Sequence, residues 1–155
     1  MSGKGSVNGR MPAVPAVPAV PAVLAWLRLA RVFQKIDAHS ERLFRTYGLN
    51  TAQFDILAHV GSTEGLSQTE LANALLVTKG NISQLLAKLE HRGLILREQE
   101  GRSYCLSLTA AGRSAYDQVV PDQESLVATL LRALSTTDQL ELLRLLRKLD
   151  HGIVA

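Results

Sequence analysis

Apolar residues recur at helical spacing along most of this chain, and only one short stretch alternates as a strand pair does. Leu29, Val32, Phe33, Ile36, Leu43 and Phe44 recur at helical spacing, which predicts a long helix over 24–47 that stops at Gly48. Asn50 and Gln53 have capping-box spacing, so a second helix is expected through Phe54, Leu57 and Val60 to Gly61. Ser67 and Glu70 form a better box, Ser-x-x-Glu, opening a short third helix from Gln68 to about Leu75. Thr78 caps a fourth helix that runs to about Arg92 and ends at Gly93.

Beyond Gly93 the period changes. Leu94 to Arg97 and Tyr104 to Leu108 alternate with period two around a turn at Gly101, as a hairpin does. Thr109 opens a fifth helix, expected to break or kink at Pro121. A sixth starts at Ser135, Thr136 or Thr137 and carries Leu140, Leu143, Leu146 and Leu149 at steps of three. The order predicts a mainly α fold with a small β-wing. Residues 48–109 read as a winged helix-turn-helix, and 24–47 and 110–155 as flanking helices apolar enough to pair two chains.

The fourth helix carries the functional signal. At 100° per residue, Leu85, Leu86 and Leu89 cluster within about 60° of Ile82 and form a face to bury. The opposite side holds Gly80, Gln84, Ala87 and His91, flanked by Ser83 and Lys88. Glycine and alanine on an exposed helix face make sense where another surface must come close. The DNA major groove, about 12 Å wide, admits such a helix. Gln84 has the geometry to bond adenine in bidentate fashion, while Lys79 and Asn81 sit near the helix start, within reach of bases or phosphates. Ser67, Gln68 and Thr78 lie at helix N-termini, where free N–H groups and hydroxyls favour phosphate. Ser83 and Lys88 complete the candidate face, with Arg97 at the hairpin base and Arg102 at its tip as further candidates.

Composition narrows the alternatives. The chain has 155 residues, 46% hydrophobic and 20% charged, so one globular domain with a dimerising extension fits. Net charge is only +3, so any basic surface must be local. Residues 67–104 hold five lysines and arginines against four carboxylates, so tight DNA binding calls for two copies acting together.

A single cysteine, Cys105, excludes an intramolecular disulfide, and the four histidines lack metal-ligand spacing. No Gly-rich phosphate loop, nucleophile elbow or metal motif points to an enzyme, and no cofactor is expected. Residues 11–27 are uncharged, but Pro12, Pro15, Pro18 and Pro21 recur every third position and argue against a membrane helix. That Pro-Ala-Val run, with the glycines before it, reads as a disordered tail over 1–23, and a cytoplasmic location is expected.

These pieces support a resemblance. GLNTAQFDIL, LSQTELANAL, VTKGNISQLLAKLEHRGLI and LSLTAAG, spread over residues 24–151, resemble the MarR family of bacterial transcription regulators, most specifically between Val77 and Ile95. The resemblance implies a homodimer joined through its terminal helices, repressing genes from a pseudo-palindromic double-stranded DNA site. It also implies release by a small aromatic or acidic effector in a crevice, for which His39, Arg42, Phe54, Leu57 and Tyr116 are the candidates by position. Glu100-Gly101-Arg102 stands where the family's wings carry an Asp-x-Arg pattern, and the cysteine of the peroxide-sensing branch is absent from the first helix. Two other readings of the same sequence are a winged-helix module that binds protein, and a redox-responsive regulator acting through Cys105.

Overall fold

The computed structural model describes residues 20–63 and 65–153. Its helices are α1 (Pro21–Thr46), α2 (Thr51–Ser62), α3 (Gln68–Ala74), α4 (Lys79–His91), α5 (Ala110–Leu130) and α6 (Thr136–Gly152). A small antiparallel sheet is built from β1 (Leu66–Ser67), β2 (Ile95–Glu100) and β3 (Ser103–Leu108), in the order β1-β3-β2. The chain divides into two units, 1–33 and 34–155, and the winged-helix core lies within the second.

Capping decides most of the boundaries. Asn50 and Ser67 each accept a hydrogen bond from the backbone N–H three residues on, and the side chains of Gln53 and Glu70 return the bond to the cap N–H. These bonds hold the Glu70 carboxyl below the usual glutamate range. Gly48 and Gly93 take the left-handed conformation (φ +65° and +70°) after α1 and α4. There Leu49 N–H bonds Phe44 O and Leu94 N–H bonds Leu89 O, so each glycine closes a helix and seats a leucine in the core.

Three elements depart from the sequence expectation. Helix α1 begins at Pro21, inside the last Pro-Ala-Val repeat, and not at Leu24. Proline fits a first helical turn because its missing N–H would be unbonded there in any case. The rest of the tail reading lies outside the described residues. Helix α5 runs unbroken through Pro121. Proline removes the donor for the Asp117 carbonyl, but both residues are exposed and water can take that place, while Val119 is fully buried and anchors the helix. Strand β1 leaves no mark in the sequence pattern: two residues are too few for any periodicity, and only the pairing of Leu66 with Leu106 and Ser67 with Cys105 defines it.

The core is contiguous. Phe44, Ile56, Leu57, Leu71, Ile82, Leu86, Leu89, Ile95, Leu106 and Val119 are all essentially inaccessible. Gly112 is required by this packing, because a Cβ there would run into the Leu94 carbonyl, and one at Gly61 would meet the Tyr116 ring. Elsewhere apolar residues stay uncovered: no residue of α6 is buried, and in the first unit Trp26, Leu27 and Phe33 of α1 are exposed.

Candidate nucleic-acid interface

Helix α4 settles on the core by Ile82, Leu86 and Leu89, each 0% exposed, with Leu85 half-buried. That leaves Lys79, Gly80, Asn81, Gln84, Ala87, Lys88 and His91 on the exposed side. Thr78 supplies its hydroxyl to the Asn81 N–H (3.2 Å) and so starts the helix at Lys79. A Cβ added at Gly80 would meet nothing within 4 Å, so nothing in the protein's own packing calls for glycine there. Gly80 lies in the first turn of α4, where glycine still loses more backbone freedom than alanine would, though by less than the roughly 1 kcal/mol of a helix interior. An outside surface that must come close is a physical reason to keep it.

Four candidates from the sequence are arranged otherwise. Gln68 and Ser83 do not face outward: both are half-buried, and Gln68 Nε2 donates to Ser83 Oγ at 2.6 Å, joining α3 to α4. Sequence pattern could not show this, because the two residues meet only when the helices pack. Arg97 is also engaged. Its Nε and Nη2 donate to Glu90 Oε2 at 3.0 and 2.6 Å, and its guanidinium carbon lies 5.8 Å from the centre of the Tyr104 ring. Ser67 spends its hydroxyl on the α3 capping box, so what it offers an anion is the helix N-terminus.

Arg102 is exposed at the wing tip, in the two-residue loop between Glu100 and Ser103, where Gly101 supplies the positive φ (+61°) that the turn requires. The wing is longer than the sequence suggested, since pairing runs from Ile95–Leu108 out to Glu100–Ser103. Cys105 is half-buried in the middle strand, opposite Ser67 and Glu98.

One basic residue was missed by pattern reading. Arg92, the C-cap of α4, donates to the Gly48 carbonyl (2.8 Å) and to Gln53 Oε1 (3.4 Å). With Ala87, Lys88 and His91 it lines a shallow depression between the end of α4 and the start of α2. Its partners lie some forty residues earlier, so no local signal marks it.

The effector candidates have varied surroundings. Leu57 is fully buried and Phe54 stacks on Phe44 with ring centres 4.1 Å apart, so both serve the core and not an open crevice. Tyr116 is half-buried beneath the Arg113 guanidinium, 5.1 Å from its ring centre. His39 and Arg42 are exposed on α1, Arg42 Nη2 donating to His39 Nδ1 at 3.1 Å. Nearby in sequence, burial pushes the Asp55 carboxyl above the usual aspartate range; His59 opposes the shift and Asp37 adds to it.

Comparison with known proteins follows the same lines. Residues 47–103 match the model of the MarR family. An HTH-type transcriptional regulator of Bacillus cereus is 38% identical over 98 residues, covering 63% of this chain and 67% of the relative. The MarR family protein Rv2887 of Mycobacterium tuberculosis, solved in complex with salicylic acid, is 31% identical with a TM-score of 0.64, the match covering 81% of this chain and 95% of that one. A MarR variant from Escherichia coli, solved with operator DNA, shares the fold with a TM-score of 0.77 at 21% identity, over 86% of this chain and 99% of that one. These findings favour regulation through DNA over a protein-binding module or a cysteine switch, and the relatives are transcriptional regulators and not enzymes. The chain belongs to the MarR family and is a winged-helix, DNA-binding transcription regulator.

Proposed function

We propose that this regulator is a homodimeric repressor in which α4 enters the major groove of a pseudo-palindromic site. One observation carries the reading: the apolar face of α4 is spent on the core, while Gly80, Gln84 and Ala87 stay open to an approaching surface. Gln84 reads a base edge, Lys79 and Asn81 act at the helix start, and Lys88 holds phosphate. The N-termini capped by Ser67 and Thr78 face the backbone, and Arg102 reaches for the minor groove. Arg97, Gln68 and Ser83 are left out of the contact set because they are already partnered inside the protomer.

The uncovered leucines of α6 support dimerisation, and two-fold symmetry would present the two α4 helices about 34 Å apart, one turn of DNA. The salicylate complex of the Mycobacterium tuberculosis relative supports a small aromatic acid as the class of effector, with His39, Arg42 and Tyr116 as its candidate contacts. A protein that works on chromosomal DNA belongs in the cytoplasm. Among the described residues no helix is long and apolar enough to cross a membrane.

The test is a pair of substitutions assayed on the duplex that the protein selects from a random pool. Gln84→Ala is expected to relax base preference at one position and cost about 1–3 kcal/mol on the best site. Lys88→Ala should weaken binding to every sequence alike and flatten the salt dependence by about one unit of slope. If both variants bind like the parent, α4 has been assigned the wrong face. Binding that is insensitive to salt would favour a protein partner instead.

A further inference from the structure

The hairpin changes character along its length. On one face the cross-strand pairs are Ile95–Leu108, Arg97–Leu106 and Gln99–Tyr104. Ile95 and Leu106 are buried, Leu108 is half-buried and Tyr104 is exposed, so the apolar anchor ends at Arg97. The third strand stops at the same level, because β1 pairs β3 only at Leu106 and Cys105. Outward from there the wing is a bare two-stranded ribbon, and such ribbons are marginal in water. Its direction therefore depends on whatever grips its root.

Arg97 occupies that root. The Arg97 side chain is 23% exposed and that of Glu90 37%, and both guanidinium donors converge on one oxygen of a carboxylate in the last turns of α4. Tyr104, diagonal to Arg97 on the neighbouring strand, has its ring centre within cation–π range of the same guanidinium, at 5.8 Å. One side chain thus touches the recognition helix and both strands of the wing. Two charge-assisted bonds from one planar guanidinium set an orientation better than a flexible ammonium does.

We propose that Arg97 is a positioning residue: gripped by Glu90 and Tyr104, it fixes the angle between wing and α4 so that Arg102 and Gln84 engage one duplex together. This rests on the DNA-contact assignment above and adds a coupling between Arg102 and Gln84, which stand on different elements. Alone, Arg97 contributes no direct contact to DNA.

A double-mutant cycle on the selected duplex tests it, with folding checked by circular dichroism and thermal midpoint. In the parent protein Arg102→Ala should weaken binding about tenfold, and in an Arg97→Met background by less than about twofold. Gln84→Ala should cost the same in both backgrounds. The exchange Glu90→Arg with Arg97→Glu should restore the sensitivity to Arg102→Ala. Effects of Arg97→Met and Arg102→Ala that simply multiply, or a charge exchange that restores nothing, would overturn the proposal. So would an Arg97→Met change that still flattens the salt slope in an Arg102→Ala background, since Arg97 would then be holding phosphate itself. A parent protein indifferent to Arg102→Ala but sensitive to Gln84→Ala removes the wing from the interface and leaves the α4 assignment standing. A parent that selects no duplex fails the DNA reading as a whole.

Discussion

Helices α4 and α6 are both amphipathic and leucine-bearing, yet they end in opposite situations. In α4, Ile82, Leu86 and Leu89 are 0% exposed. In α6, Leu140, Leu143, Leu146 and Leu149 remain 63, 42, 38 and 49% exposed. The first helix completes its apolar packing inside one protomer, so its remaining face is free for a ligand. The second has no partner within the described protomer, and a row of open leucines costs about 25 cal/mol for each Å² of apolar surface left in water. In the proposed homodimer a second copy of the chain would remove that cost. The same kind of periodicity therefore completes a core in one place and leaves an uncovered apolar row in another, and under the proposed function that row pairs two chains while the small polar back of α4 reads DNA.

Core substitutions in α4 should separate the two helices most strongly. Leu86→Ala is expected to lower the unfolding free energy by about 2–5 kcal/mol in urea titration, because the emptied site is surrounded by packed side chains. Leu143→Ala in α6 should cost far less at concentrations where the protein is monomeric. Equal losses would mean that α6 has a hidden partner within the protomer.

Placing charge in the leucine row comes next. Leu143→Glu with Leu146→Glu should raise the dimer dissociation constant by about a hundredfold in sedimentation equilibrium, as charges are put into an apolar interface. The circular dichroism of the winged-helix unit should be almost unchanged. A dimer that survives this pair of changes uses some other surface.

The α6 cap supplies a pH test. Ser135 holds the Asp138 carboxyl below the usual aspartate range through side-chain and backbone hydrogen bonds. A depressed pKa in the folded state means stabilisation that is present above the ordinary aspartate range and lost as pH falls through the lowered value. Helicity and dimerisation should therefore weaken on strong acidification, and Asp138→Ala should show the weaker state already at neutral pH. A variant that matches the parent at neutral pH would show that the capping box does not support α6.

The smallest expected effect is on α4 and has opposite signs in two assays. Gly80→Ala should stabilise the protein slightly, by less than the roughly 1 kcal/mol of a helix-interior site, since the added methyl meets open space at the second position of the helix. It should also weaken DNA binding, because the methyl takes room where the duplex comes close. Unchanged DNA affinity would leave the glycine without a reason.

Local interactions were legible in the residues themselves. Caps at Asn50, Ser67 and Thr78, stops at Gly48 and Gly93, and the period-three face of α4 all depend on neighbours within a few positions, so the chain alone specified those helices and the polar face. What pairs distant segments was not legible. Strand β1, the Gln68–Ser83 bond, the grip of Glu90 on Arg97 and the tether of Arg92 to Gly48 exist only once the helices and sheet are brought together. The passage of α5 through Pro121 belongs with them, because buried Val119 outweighs a local preference to break. Short-range hydrogen bonds and periodicity are written in sequence order, whereas which polar side chains remain free for a ligand is decided by the partners that packing assigns to them.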